Sequence, residues 1–83
     1  MKPEVTVELY GSLASLVGEK RVVVEAATLR DMFDALAARH PALADHLDER
    51  VSVSIDGRIY TEALFQPIKP ENEIMLLPRI AGG

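Results

Sequence analysis

"ATLRDMFDALAARHP", Ala27 to Pro41, decides the fold, because it is the one long stretch with helical period in a chain whose other apolar runs alternate as strands. Thr28 stands where an N-cap is needed, and Asp31 follows three residues later as in a capping box, with Asp in place of the usual Glu or Gln. Leu29, Met32, Phe33, Leu36 and Ala37 recur at three- and four-residue spacing and make one apolar stripe. Arg30, Asp31, Asp34, Ala38 and Arg39 fall largely on the other side. The helix is expected to end near His40, because Pro41 disfavours a helical conformation in the residue before it.

Before this helix, "VTVEL" puts Val5, Val7 and Leu9 on one face and Thr6 and Glu8 on the other, the period of a half-buried strand. "YGSLASLVGE" is a loop bracketed by Gly11 and Gly18 with room for a helical turn around Leu13 to Val17, and the β-branched run "KRVVVE" returns as a second strand. After the helix, "ALADHLDER" predicts a short second helix or an irregular turn. "VSVSI" alternates again, Asp56-Gly57 is a two-residue hairpin signal, and "RIY" is the returning strand. "TEALFQPIKPEN" carries two prolines and predicts a compact loop that packs Leu64, Phe65 and Ile68, before "EIMLL" forms the last strand and runs into Pro78. Several strands with one substantial helix predict an α+β domain of two layers, a mixed sheet of about four to five strands with the helix across one face.

The chain has 83 residues, a size that gives one domain of modest stability, and 48% of them are hydrophobic, enough to fill a core. Cysteine is absent, which removes disulfides, thiolate catalysis and cysteine metal sites together. The opening residues "MKPEVTVELY" go directly into strand alternation, and no run of 18 apolar residues occurs, so a cytoplasmic chain that neither enters nor crosses a membrane is expected. A net charge of -4 and a pI near 5.0 argue against nucleic acid as a partner, because phosphate binding needs clustered Lys and Arg.

Inside the folded body no side-chain pattern points to catalysis. Asp45, His46, Asp48 and Glu49, with His40 nearby, match no metal-ligand spacing and are expected to form a solvated acidic turn. Asp31 and Asp34 lie in the first turns of the helix, where the macrodipole favours negative charge. Gly18 leads into Glu19 and Lys20 and then a strand, not the Gly-Lys-Ser/Thr of a phosphate loop. The serines at 12, 15, 52 and 54 have no evident base, and the two histidines fit no triad.

One group remains. "LPRIAGG", Leu77 to Gly83, leaves the last strand through one proline and one arginine and finishes on two glycines. At average glycine usage of about 7%, such a pair at the last two positions arises by chance roughly once in 200 chains. Glycine adds nothing to a core but threads a narrow site without side-chain clash. The expected division is therefore a folded domain over residues 1–77 and a flexible tail over 78–83.

Over essentially its whole length the sequence resembles the MoaD/ThiS family of ubiquitin-like sulfur carriers, most closely the small subunit of molybdopterin synthase. The resemblance rests on "VTVELYGSLASLVGEKRVVVE", "ATLRDMFDALAARHP", "VSVSIDG" and "IMLLPRIAGG". It implies the β-grasp fold, and a chain that donates sulfur without being the catalyst or binding a cofactor itself. A ubiquitin-activating-like adenylyltransferase would adenylate the Gly83 carboxylate with ATP, and a persulfide donor would convert it to a thiocarboxylate. The tail, Pro78, Arg79, Ile80, Ala81, Gly82 and Gly83, would enter the molybdopterin synthase large subunit in a two-plus-two assembly and pass sulfur to a pyranopterin precursor. Phe65, Ile74 and Leu76 are candidates for the partner surface.

Two positions depart from that family's pattern: Arg79 replaces a second proline or a small apolar residue, and "PENE", Pro70 to Glu73, replaces a Gly-Asp loop. The same tail suits carriers for thiamine, cysteine, tRNA thiolation or a metallophore, and Arg79 also echoes ubiquitin-like modifiers joined to lysines. An interaction module with an inert tail is the remaining alternative.

Overall fold

The computed structural model describes residues 2–47, 51–60 and 64–78. Five strands and three helices follow in the order β1 (Glu4–Leu9), α1 (Ser12–Val17), β2 (Arg21–Glu25), α2 (Leu29–Arg39), α3 (Pro41–Ala44), β3 (Val51–Ile55), β4 (Arg58–Tyr60) and β5 (Ile74–Pro78). The strands make one mixed sheet in the order β2-β1-β5-β3-β4. β5 is parallel to β1 and antiparallel to β3, and the two hairpins are antiparallel, so the last strand lies in the middle of the sheet. With α2 packed on one face, this is the ubiquitin-like β-grasp, as the resemblance implied.

Alternation sets the core. Val5, Val7 and Leu9 of β1 and Val22 and Val24 of β2 turn inward and meet Met32 and Leu36 of α2, which are fully buried. Burying a side chain of this size stabilises by about 1.5–3 kcal/mol each, which is why the stripe on α2 and the phase of β1 specify each other.

The start of α2 is held from two directions. Thr28 Oγ1 accepts from the Asp31 N–H at 3.2 Å, while the Asp31 carboxylate accepts from the Ala27 N–H at 3.1 Å, one residue earlier than a capping box uses. The next two donors, the N–H groups of Leu29 and Arg30, go to the carbonyls of Gln66 and Leu64 at 3.1 and 2.8 Å. The loop before β5 thus satisfies helix donors that would otherwise face water or go unpaired. Its side chains correct one expectation: Ile68 is buried, but Leu64 and Phe65 are exposed, because the loop faces the helix with its carbonyls.

The "PENE" stretch has a structural role. Asp56, in the left-handed region at φ 52, accepts from the Glu73 N–H and from Asn72 Nδ2, both at 2.7 Å, and its own N–H donates to the Glu73 carbonyl. Asn72 Oδ1 in turn accepts from the Lys69 N–H at 2.7 Å. The β3–β4 turn and the approach to β5 are therefore one hydrogen-bonded unit.

Candidate functional site

The candidate site begins where β5 ends. Pro78 is the last residue of that strand, opposite Val51 of β3, so the residue expected to open the tail is still paired. Its missing N–H is tolerated because β1 has stopped at Leu9, opposite Leu76, leaving Pro78 with a strand on one side only. On the other side stands Gly11, the N-cap of α1, at φ 58 and ψ -134. A Cβ on Gly11 would lie 3.2 Å from Pro78 Cγ, so the root of the tail rests against a position without a side chain. Arg79, Ile80, Ala81, Gly82 and Gly83 lie outside the described residues.

Of the three surface candidates, Phe65 is 75% exposed, whereas Ile74 and Leu76 are 1% and 0% exposed. Those two are corrected to core positions. Registers fix the reason: Ile74 lies beside Val7 and Ile55, and Leu76 beside Leu9 and Val53, all on the face that α2 covers. The residues that sequence reasoning missed are the alternate ones. Met75 and Leu77 face the open side of the sheet, where Arg21, Glu8, Met75, Ser54 and Ile59 form one row across all five strands. Val23 and Ile59, also on this side, are exposed. The open face thus carries Met75, Leu77 and Ile59 around the serines of β3, with charges toward β2, and forms a band continuous with the strand that carries the tail.

Tyr10, just beyond β1, borders this band. Its N–H donates to the Leu76 carbonyl at 3.1 Å and its hydroxyl donates to Glu8 Oε2 at 3.1 Å. Accepting that bond and sitting beside it as a charge, Glu8 raises the Tyr10 phenol above its ordinary value, with Glu73 adding in the same direction. The phenol therefore stays protonated at neutral pH and is a donor, not a base.

His40 closes α2 and opens α3 in the helical layer, while Ser52 and Ser54 belong to β3. Among the described residues no three His, Asp or Glu side chains converge as metal ligands, and none of the helices is long and apolar enough to cross a membrane. Asp48 and Glu49 of the acidic turn lie outside the described residues. What the structure builds is a support for the chain end and a surface beside it.

The sequence model of the ThiS family matches residues 7–83, nearly the whole chain, and runs through both terminal glycines. The chain belongs to the ThiS family. No curated protein sequence matches it significantly. Among solved structures, SAMP1 from Haloferax volcanii superposes with a TM-score of 0.80 at 28% identity, covering 96% of this chain and 99% of that one. The Amycolatopsis orientalis BexX/CysO complex contains a chain matching at 0.76 and 26% identity, over 95% and 99% of the two lengths. A chain in the Helicobacter pylori complex of subunits 1 and 2 of molybdopterin-converting factor matches at 0.67 and 22% identity, over 96% and 99%, a likeness of fold. Membership of the ThiS family makes the chain one of the ubiquitin-like sulfur carriers and modifiers, and these neighbours span several pathways.

Proposed function

We propose that this ThiS-family chain is a sulfur carrier whose Gly83 carboxylate is activated and converted to a thiocarboxylate. The observation that carries the reading is the family match running through Gly82 and Gly83. A carboxylate is a poor electrophile. Adenylation by a ubiquitin-activating-like adenylyltransferase, consuming ATP, supplies the leaving group that a persulfide-derived sulfur can displace. Glycine at the last two positions lets the chain enter a narrow active site.

The acceptor we propose is the pyranopterin precursor of molybdopterin. The partner is the molybdopterin synthase large subunit in a two-plus-two assembly, with this chain as its non-catalytic sulfur-donating subunit. The Helicobacter pylori complex of the two converting-factor subunits supports the choice of partner. The tail, Pro78 to Gly83, would insert, and the open face around Met75, Leu77 and Ile59 would lie against the partner. Phe65 would contribute from the loop.

A second reading is favoured by the 28% identity to SAMP1, a name that stands for small archaeal modifier protein 1: Gly83 would be joined to lysines of other proteins. One experiment separates the two. Incubated with its activating enzyme, ATP and a sulfur donor, the chain should gain the mass of one oxygen replaced by sulfur at its C-terminal peptide. It should lose that sulfur again only when large subunit and precursor are added. A Gly83 carboxylate that stays unmodified in this mixture overturns the carrier reading, and branched Gly-Gly remnants on target lysines move the assignment to the modifier.

A further inference from the structure

β2 is an end strand of the sheet, and the direction of its backbone groups can be read from its pairing with β1. Leu9 N–H donates to the Lys20 carbonyl and Ala26 N–H to the Pro3 carbonyl, which flank the register Val5↔Val24 and Val7↔Val22. Even-numbered residues therefore spend their N–H and C=O groups on β1. Arg21, Val23 and Glu25 turn theirs outward, the alternation of an antiparallel ladder. One of these outward groups has a partner: Arg39 Nη1, reaching from α2, donates to the Val23 carbonyl.

Charges on an edge ordinarily guard it against pairing. Here their order along the strand is positive, apolar, negative, centred on Val23. Two such edges, run antiparallel about Val23, place Arg21 opposite Glu25 of the other copy at both ends, so the guard becomes self-complementary. A second feature points the same way. Within one chain Glu25 lies directly opposite Glu4, a like-charge pair that costs stability, and neither joins an ion pair among the described residues.

We propose that the β2 edge binds the β2 edge of a second copy of this chain, two-fold and antiparallel about Val23. Arg21, Val23 and Glu25 each exchange both backbone hydrogen bonds with Glu25, Val23 and Arg21 of the other copy, giving a ladder of six bonds and one continuous ten-stranded sheet. Val23, 47% exposed in the single chain, lies against its equivalent. The Arg21 side chain meets Glu25 where Glu4 alone stood. Both α2 helices fall on the same face, and the groove of about 410 Å³ between the edge and α2, bordered by Ala35 and Ala38, leaves them room. The Val23 carbonyl keeps a second lone pair for the ladder beside Arg39. β4, the opposite edge, lacks this symmetry: self-pairing about Ile59 would set Arg58 against Tyr60. Pro78 ends a central strand, away from this edge, so the dimer is compatible with the proposed chemistry and independent of it.

The test uses the full chain, in sedimentation equilibrium and an amide-shift dilution series up to millimolar concentration. The wild type should pass from monomer to dimer with shifts concentrated at Arg21 to Glu25. Arg21→Glu and Glu25→Arg each put like charges opposite at both ends and should weaken the dimer by about tenfold or more. Mixing the two variants restores Glu opposite Arg at both ends, as does the double exchange, and each should dimerise as the wild type does. Amide spectra establish that every variant is folded, and the double exchange carries the test if Arg21→Glu is not. A wild type that stays monomeric, variants that dimerise undiminished, or complementary chains that fail to associate would each overturn the proposal.

Discussion

Replacing Gly11 by alanine tests whether the root of the tail is built as described. Gly11 holds φ 58 and ψ -134, a region close to glycine-only, and holding an L-residue there costs about 1–3 kcal/mol. The new Cβ would also sit 3.2 Å from Pro78 Cγ, so the end of β5 must give by a few tenths of an ångström. The two effects together come to about 2–4 kcal/mol. Gly18 is the internal control: it too has a positive φ, of 85, but its ψ of 9 is ordinary left-handed helix and nothing lies within 4 Å of an added Cβ. Gly18→Ala should cost about 1–2 kcal/mol. In a domain of this size each kcal/mol moves the melting temperature by about 4–8 °C. Thermal unfolding followed by circular dichroism should therefore place Gly11→Ala about 8–32 °C below the parent, with Gly18→Ala about 4–16 °C below it. A Gly11→Ala protein no less stable than Gly18→Ala would refute the claim that Pro78 is seated on Gly11.

The Ala27 N–H, and then the Lys2 ammonium, hold the Asp31 carboxyl below its ordinary value against the opposing effect of burial, so its folded pKa is below its unfolded one. Its contribution is present above the unfolded value of about 3.9 and lost as pH falls through the folded one, so Asp31→Asn should destabilise at pH 7 and less so in acid, read from urea midpoints against pH. Asp56→Ala removes two 2.7 Å acceptor bonds from a partly solvated network and should cost about 1–2 kcal/mol in chemical denaturation, with Asp56→Asn milder. Glu8→Gln should lower the tyrosinate midpoint of Tyr10 toward that of an ordinary phenol in an absorbance titration. Leu36→Ala, at a fully buried position, should cost about 2–5 kcal/mol by the same denaturation measurement.

How far the sequence carried the fold depended on whether each strand showed its phase. β1 alternates apolar with Thr6 and Glu8, and β2 alternates Val22 and Val24 with charged ends, so their buried faces were readable residue by residue. α2 declared itself through its stripe and Thr28. "IMLL" has no polar residue to mark a face, so its phase cannot be read from alternation. That is why side-chain pattern alone does not separate the buried Ile74 and Leu76 from Met75 and Leu77 on the open face. The loop at 64–68 was legible as a loop, but its docking onto the α2 donors runs through backbone carbonyls, which leave no trace in side-chain pattern. "PENE" looked like a departure from the family, yet Asn72 and the Glu73 N–H close the turn with Asp56. Of the candidate site, the chain end was legible as a motif, whereas the pairing of Pro78 in β5 and its seat on Gly11 depend on contacts far apart in the sequence and leave no local pattern.

The central position of β5 also decides how the molecule bears load. A partner or unfolding machine drawing on the chain beyond Pro78 pulls along a strand flanked by β1 on one side and β3 on the other. Because β1 runs parallel to β5, tension between the two ends of the chain shears the hydrogen bonds that join them at Val7, Glu8 and Leu9 all together, and cannot peel them one at a time. Load that enters the sheet at Pro78 therefore meets it in its shear direction, where these bonds must yield together.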